Sequence, residues 1–243
     1  MRFDVYRRAG YVALPFILSL IAGSTDTISF LGMNGLFTAH ITGDLVILAS
    51  HLVTGDAATV SFMLAVPVFA VTLLLTSVFA NRLPRTADQK LRPLLSLELL
   101  LLLIFLTLSV IFTPRFDTNS PLGVVTGMVG VGAMAVQAAL VQISLTNSPS
   151  TAVMTTNMTH FVVALAQVLV GNDLDTIQKA RTRIAHVLPV IIGFAFGCAA
   201  GAASKAKWGL WSLGLPAALA LVAWVMAGRR PTAEPARTLS RST

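Results

Sequence analysis

Asp26, His40, Asp44 and His51 bring carboxylate and imidazole groups together in a stretch that is otherwise largely apolar. On a helix advancing 100° per residue, His40, Asp44 and His51 fall within about 40° of one another, so the spacing predicts a single polar stripe. Histidine titrates near neutrality, and a His-Asp stripe could relay protons or sense pH. Metal ligation by these three is conceivable, but the spacing matches no metal signature, and neither a metal nor a cofactor is expected. A looser version occurs further on, where Asn157, His160 and Gln167 share a helical face and Thr156 lies one turn before His160. Asp26 lies deep in an apolar run, where an ionised carboxylate facing lipid would cost about 2.5–3.5 kcal/mol or more. The sequence Gly23-Ser24-Thr25-Asp26-Thr27, followed by Gly32, Asn34 and Gly35, forms helix poorly and predicts a break that opens backbone groups to a ligand or ion. Alternatively, Asp26 caps a half-helix or bonds a neighbouring threonine.

The elements that must position these groups follow from composition. The chain has 243 residues, of which 55% are hydrophobic and 11% charged, and its mean hydropathy is +0.80; soluble domains carry roughly a quarter charged residues. The net charge of +7 comes from basic residues that flank apolar segments without interleaved aromatics, which argues against nucleic-acid binding. Cys198 is the one cysteine, so no intrachain disulfide can form, and it reads as a small packing residue. Arg7 and Arg8 precede an apolar run ending near Ser24, as in a secretory signal, but cleavage is not expected because many further spans follow.

Eight apolar segments are delimited by charge, proline or glycine, at 9–32, 37–54, 59–81, 93–113, 121–145, 152–170, 184–204 and 209–227. Ten-residue alternation is absent, so they are helices and the fold class is an all-α polytopic membrane protein. Residues 37–45 align with 150–158, matching Thr38 to Thr151 and Asp44 to Asn157, and at the same offset Asn34 meets Asn147. The chain therefore reads as two pseudo-symmetric repeats of four segments, 9–113 and 121–227, with a cytoplasmic N-terminus at 1–8 and a disordered cytoplasmic tail at 229–243. If all eight segments cross, Arg82, Arg85, Lys90 and Arg92 lie outside with Lys205 and Lys207. If 37–54 and 152–170 are broken or re-entrant, only Arg115, Lys205 and Lys207 do. The positive-inside rule favours the second scheme, with six crossings and two re-entrant helices. Three crossings per half make the repeats inverted, the architecture transporters build around a midplane site.

Other residues carry weaker signals. Gln137 and Gln142 lie in the helix that matches that of Asp26. Glu98 stands alone near the cytoplasmic end of its span, within reach of Arg92 or water, and His186 beside Arg183 reads as interfacial. Gly193, Gly197 and Gly201, spaced by four, and Gly123 with Gly127 predict close helix packing. No phosphate loop, nucleophile elbow or paired-cysteine motif is present, so enzymatic activity is not expected.

The residues Ala22 to Phe30 and Gly35 to Asp44 resemble the signature of the YoaK-like family, domain of unknown function 1275, with a fainter echo at 137–160. The resemblance implies a bacterial multi-pass inner-membrane protein and supplies no substrate. Family members commonly read Thr-Gly-Asn where this chain has Thr42-Gly43-Asp44, and Thr-Gly where it has Thr155-Thr156. Any proton or cation role of Asp44 would then be particular to this chain.

The expected function is a small-solute or ion transporter or channel whose midplane site is lined by Asp26, Asn34, His40, Thr42, Asp44, Asn147, Thr155, Asn157 and His160. The alternatives are an intramembrane enzyme using His40, Asp44 and His51, and a non-transporting assembly or sensory partner. The expected partners are the lipid bilayer and a small solute or ion, and a homo-oligomer is compatible with the sequence.

Overall fold

The computed structural model describes residues 2–55, 59–83, 86–111, 120–146, 148–171 and 173–228. The predicted tail at 229–243, together with Asn147 and Arg115, lies outside them. The helices are α1 (Arg2–Gly32), α2 (Ile41–Thr54), α3 (Thr59–Arg82), α4 (Ala87–Ile111), α5 (Pro121–Ser144), α6 (Met154–Val170), α7 (Leu174–Trp208) and α8 (Gly214–Gly228), the last two joined by a 3-10 turn, Gly209–Leu213. No strand occurs among the described residues. Five stretches are long and apolar enough to cross a membrane, and the fifth, Leu174–Gly228, contains both α7 and α8.

Two apolar clusters mark the ends of the bundle and give the direction of each helix. One gathers Leu14, Ala80, Leu91, Val141 and Ala227, from the first half of α1, the end of α3, the start of α4, the end of α5 and the end of α8. The other gathers Ile28, Phe62, Phe105, Val131 and Leu213, from the opposite ends of α1, α3 and α4, the first half of α5 and the turn before α8. Helix α7 runs parallel to α1, because its Gly193, Gly197 and Gly201 face Phe16, Leu20 and Ser24 in the same order. Helix α8 then returns beside α4, where Gly228 meets Arg92 and Trp224 Nε1 donates to Ser96 Oγ at 2.8 Å. The reversal occurs at Gly209, whose φ of 59° suits a residue without a Cβ. The five long apolar stretches thus take in α1, α3, α4, α5 and α7 with α8, and α2 (14 residues) and α6 (17 residues) are shorter apolar helices, an arrangement compatible with the six crossings expected from the charges. Arg82, Lys90, Arg92, Lys179, Arg181 and Arg183 cluster at the end where α1 begins, with Lys205 and Lys207 at the other.

The two halves interlock. Helix α1 packs on α7 and α8 of the second half, and α5 packs on α3 and α4 of the first. Exchanging the halves exchanges these contacts, as an inverted duplication requires. The glycines of α7 permit the approach, since a Cβ on Gly197 would stand 2.5 Å from Leu20 O and one on Gly193 would stand 2.7 Å from Phe16 O. Outward faces are apolar, with Leu74, Leu75 and Val71 on α3 and Leu100, Leu103 and Ile111 on α4 exposed, as lipid contact demands. At the far end Lys207 lies over the exposed Trp208, 5.1 Å from the ring centre, an interfacial pairing.

Candidate functional site

The break predicted near Gly23 falls later. Helix α1 continues to Gly32 with its hydroxyls satisfied on its own carbonyls, Ser24 Oγ donating to Leu20 O (2.7 Å) and Thr25 Oγ1 to Ile21 O (2.7 Å). The chain turns at Asn34 (φ 52°) and Gly35 (φ 87°) and dips back into the bundle. The descending loop lies against α5, where Leu36 and Thr38 fill the space that side chains would need at Gly127 and Gly130, 2.7 and 3.0 Å from an added Cβ. It ends on Asp26. Oδ1 of that carboxylate accepts from Thr38 N (2.8 Å), Thr38 Oγ1 (3.0 Å) and Ala39 N (2.6 Å), and Oδ2 pairs with His40 Nδ1. Helix α2 then starts at Ile41 and climbs back toward the end it came from. In its first turn Asp44 reaches back, Oδ1 accepting from Phe37 N at 2.9 Å.

The second half repeats this design with amides. The loop after α5 enters from the opposite end and is held by Gln137, whose Nε2 donates to Thr151 Oγ1 (2.9 Å) and to Leu18 O on α1 (2.9 Å). Asn157, the counterpart of Asp44, donates from Nδ2 to Ser150 O at 2.6 Å. Asp26 and Leu18 are separated by eight residues of α1, or about 12 Å at 1.5 Å per residue. The two loop tips thus reach α1 about 12 Å apart along its axis, one carrying a carboxylate–imidazole pair and the other only neutral groups.

The charged tip is the chemically capable one. Asp26 is buried, while the His40 side chain is 35% exposed, with Phe194 of α7 edge-on at 5.4 Å and Phe37 at 5.9 Å between ring centres. Because a carboxylate only accepts, His40 Nδ1 carries the proton, and in the neutral ring Nε2 keeps a lone pair. Asp44 is buried and its Oδ2 has no partner, so one acceptor remains unused beside the pair.

The structure gathers Asp26, His40 and Asp44 at one loop and Asn157 with Gln137 at the other. It does not form the stripe predicted on α2. His40 precedes the helix and turns to Asp26, while His51 packs edge-on against Phe62 at 5.0 Å. Nor do the stripes face one another, since Asn157 is buried while His160 and Gln167 are exposed. Asn34, Thr42 and Thr155 are also exposed, Asn34 serving the turn. Gln142 is exposed. Glu98 is fully buried with neither oxygen partnered, and Arg92, the partner considered for it, instead lies over Trp224 at 4.7 Å. Phe194 and Gly130 drew no notice in the sequence. Gly130, three residues after Gly127, carried the only spacing signal for the loop seat. Among the described residues no group of three or more His, Cys, Asp or Glu side chains is placed to hold a metal ion.

The family model described as "Protein of unknown function (DUF1275)" matches residues 14–226. No curated protein and no solved structure matches the chain.

Proposed function

The chain belongs to that DUF1275 family, whose description carries no activity, and from the site we propose a small-solute or ion transporter or channel in which the Asp26–His40 pair accepts and returns a proton or binds the donor group of the solute. The observation that carries this reading is the half-buried imidazole bonded to a buried carboxylate, at a loop tip inside a bundle of apolar helices. A proton arriving at Nε2 leaves an imidazolium beside a carboxylate, and a paired charge is the tolerable form of charge in apolar surroundings. The inverted halves support the same reading, because two related loops entering from opposite ends offer two related routes to one midplane. The location proposed with this function is a bacterial inner membrane, with the cation-rich end, and hence both termini, facing the cytoplasm.

The test is flux into proteoliposomes containing a pH-sensitive dye, under an imposed potential and with a panel of alkali cations, amino acids and small organic acids outside. Protein-dependent movement of one species should be lost in His40→Ala and retained in His160→Ala. Absence of protein-dependent flux across the whole panel, or undiminished flux in His40→Ala, would overturn the proposal.

A further inference from the structure

At the cation-rich end, α6 and the first turns of α7 enclose an open cleft of about 380 Å³. Its lining includes Arg183, Lys179, His160 and His186, with Thr146 and Ser148 supplying hydroxyls while that of Thr182 already donates to Gln178 O at 3.0 Å, and no carboxylate is among the lining residues. Lys179 reaches Asp175 at 2.6 Å, but both are well exposed, so that pair is easily exchanged for another anion. His186 Nδ1 lies 2.7 Å from Thr182 O; a carbonyl only accepts, so this nitrogen donates, and Nε2 can donate to an anion only in the imidazolium form.

From this geometry we infer that the cleft is a binding site for a phosphate group. Lys179 and Arg183 of α7 and His160 of α6 line a volume suited to a headgroup, the Thr146 and Ser148 hydroxyls of the α5–α6 loop add donors, and Asp175 is the acid a ligand would displace from Lys179. Arg183 supplies the forked donor geometry that matches phosphate oxygens. The cleft adjoins apolar faces of α6, where Val162, Val163 and Leu165 are exposed, so a lipid phosphate could be seated there with its chains in the bilayer, as in basic pockets between membrane helices. A soluble phosphate would use the same donors. The site is separate from the Asp26–His40 pair and does not depend on the transport reading.

The experiment is binding to the full chain in phosphate-free maltoside micelles, with phosphatidylglycerol titrated into the micelles in one arm and inorganic phosphate into the buffer in the other. Retained lipid is read by native mass spectrometry and phosphate by the shift in melting temperature. Saturable binding in either arm, weakened about tenfold or more in the double variant Lys179→Gln, Arg183→Gln and unchanged in Arg181→Gln, supports the site and identifies the source. Arg181 lies on the same helix but does not line the cleft, so an equal loss in Arg181→Gln, or saturable binding in neither arm, would overturn it. Melting of the variants in the same micelles without ligand confirms that they fold.

Discussion

Replacing Asp26 separates its role as a fastener from its role as a charge. In Asp26→Asn the side-chain oxygen can keep the three donors from Thr38 and Ala39, and the new amide N–H faces His40. The imidazole accommodates it by moving its proton from Nδ1 to Nε2, so every bond survives in neutral form. Charge-assisted bonds are about twice as strong as neutral ones, but burial of the charge is also relieved, and the net loss should be about 1–3 kcal/mol. Asp26→Ala instead leaves two loop N–H groups buried without a partner at about 1–3 kcal/mol each, and the loss should be about 3–5 kcal/mol. Denaturant titration in bicelles measures both. Nitrogen-15 histidine spectra should show His40 switching tautomer in the asparagine variant alone. Equal stability of the two variants, or an unchanged His40 tautomer in Asp26→Asn, would refute the account of how the loop is held.

Gly197→Leu should separate α1 from α7, because even a Cβ there stands 2.5 Å from Leu20 O; overpacking costs about 1–3 kcal/mol or more, and a melting curve that did not fall would contradict the contact. Glu98→Leu should raise stability by about 1–2 kcal/mol by removing two unpartnered buried oxygens, and a lower denaturation midpoint would reveal a partner. Asn157→Leu should free the Ser150 carbonyl and cost about 1–3 kcal/mol, while exposed Thr155→Val should leave the midpoint within about 0.5 kcal/mol. Protection of the 148–153 amides by hydrogen exchange should fall only in the first of these.

The crossings were legible because apolar length and lysine–arginine placement are local properties. The charges at 82–92 bear on whether α2 crosses, and in the structure both α2 and α6 are shorter than the long apolar stretches. The position of the break was not, because Ser24 and Thr25 satisfy their hydroxyls on α1 and Gly23 is used for contact with α7, so tertiary packing overrides a poor helical propensity. Asp26 and Asp44 could be singled out from burial cost alone. Their partners could not, because Thr38, Ala39 and Phe37 engage mainly through backbone N–H groups, which every residue has. His40 was misplaced for a simple reason: one residue decides whether it begins α2 or precedes it, and that sets the direction of the ring.

The exchange of α1 and α5 between halves bears on how the chain is made. Synthesis proceeds from the N-terminus, so α1 enters the bilayer long before α7 and α8 exist to cover it, with Asp26 fastened only to its own returning loop. That loop, closed within residues 26–44, can assemble early and shield the carboxylate while the helix waits. A truncated first half would therefore insert but present an uncovered face along Phe16, Leu20 and Ser24, and co-expressing the second half as a separate polypeptide should rescue it from degradation.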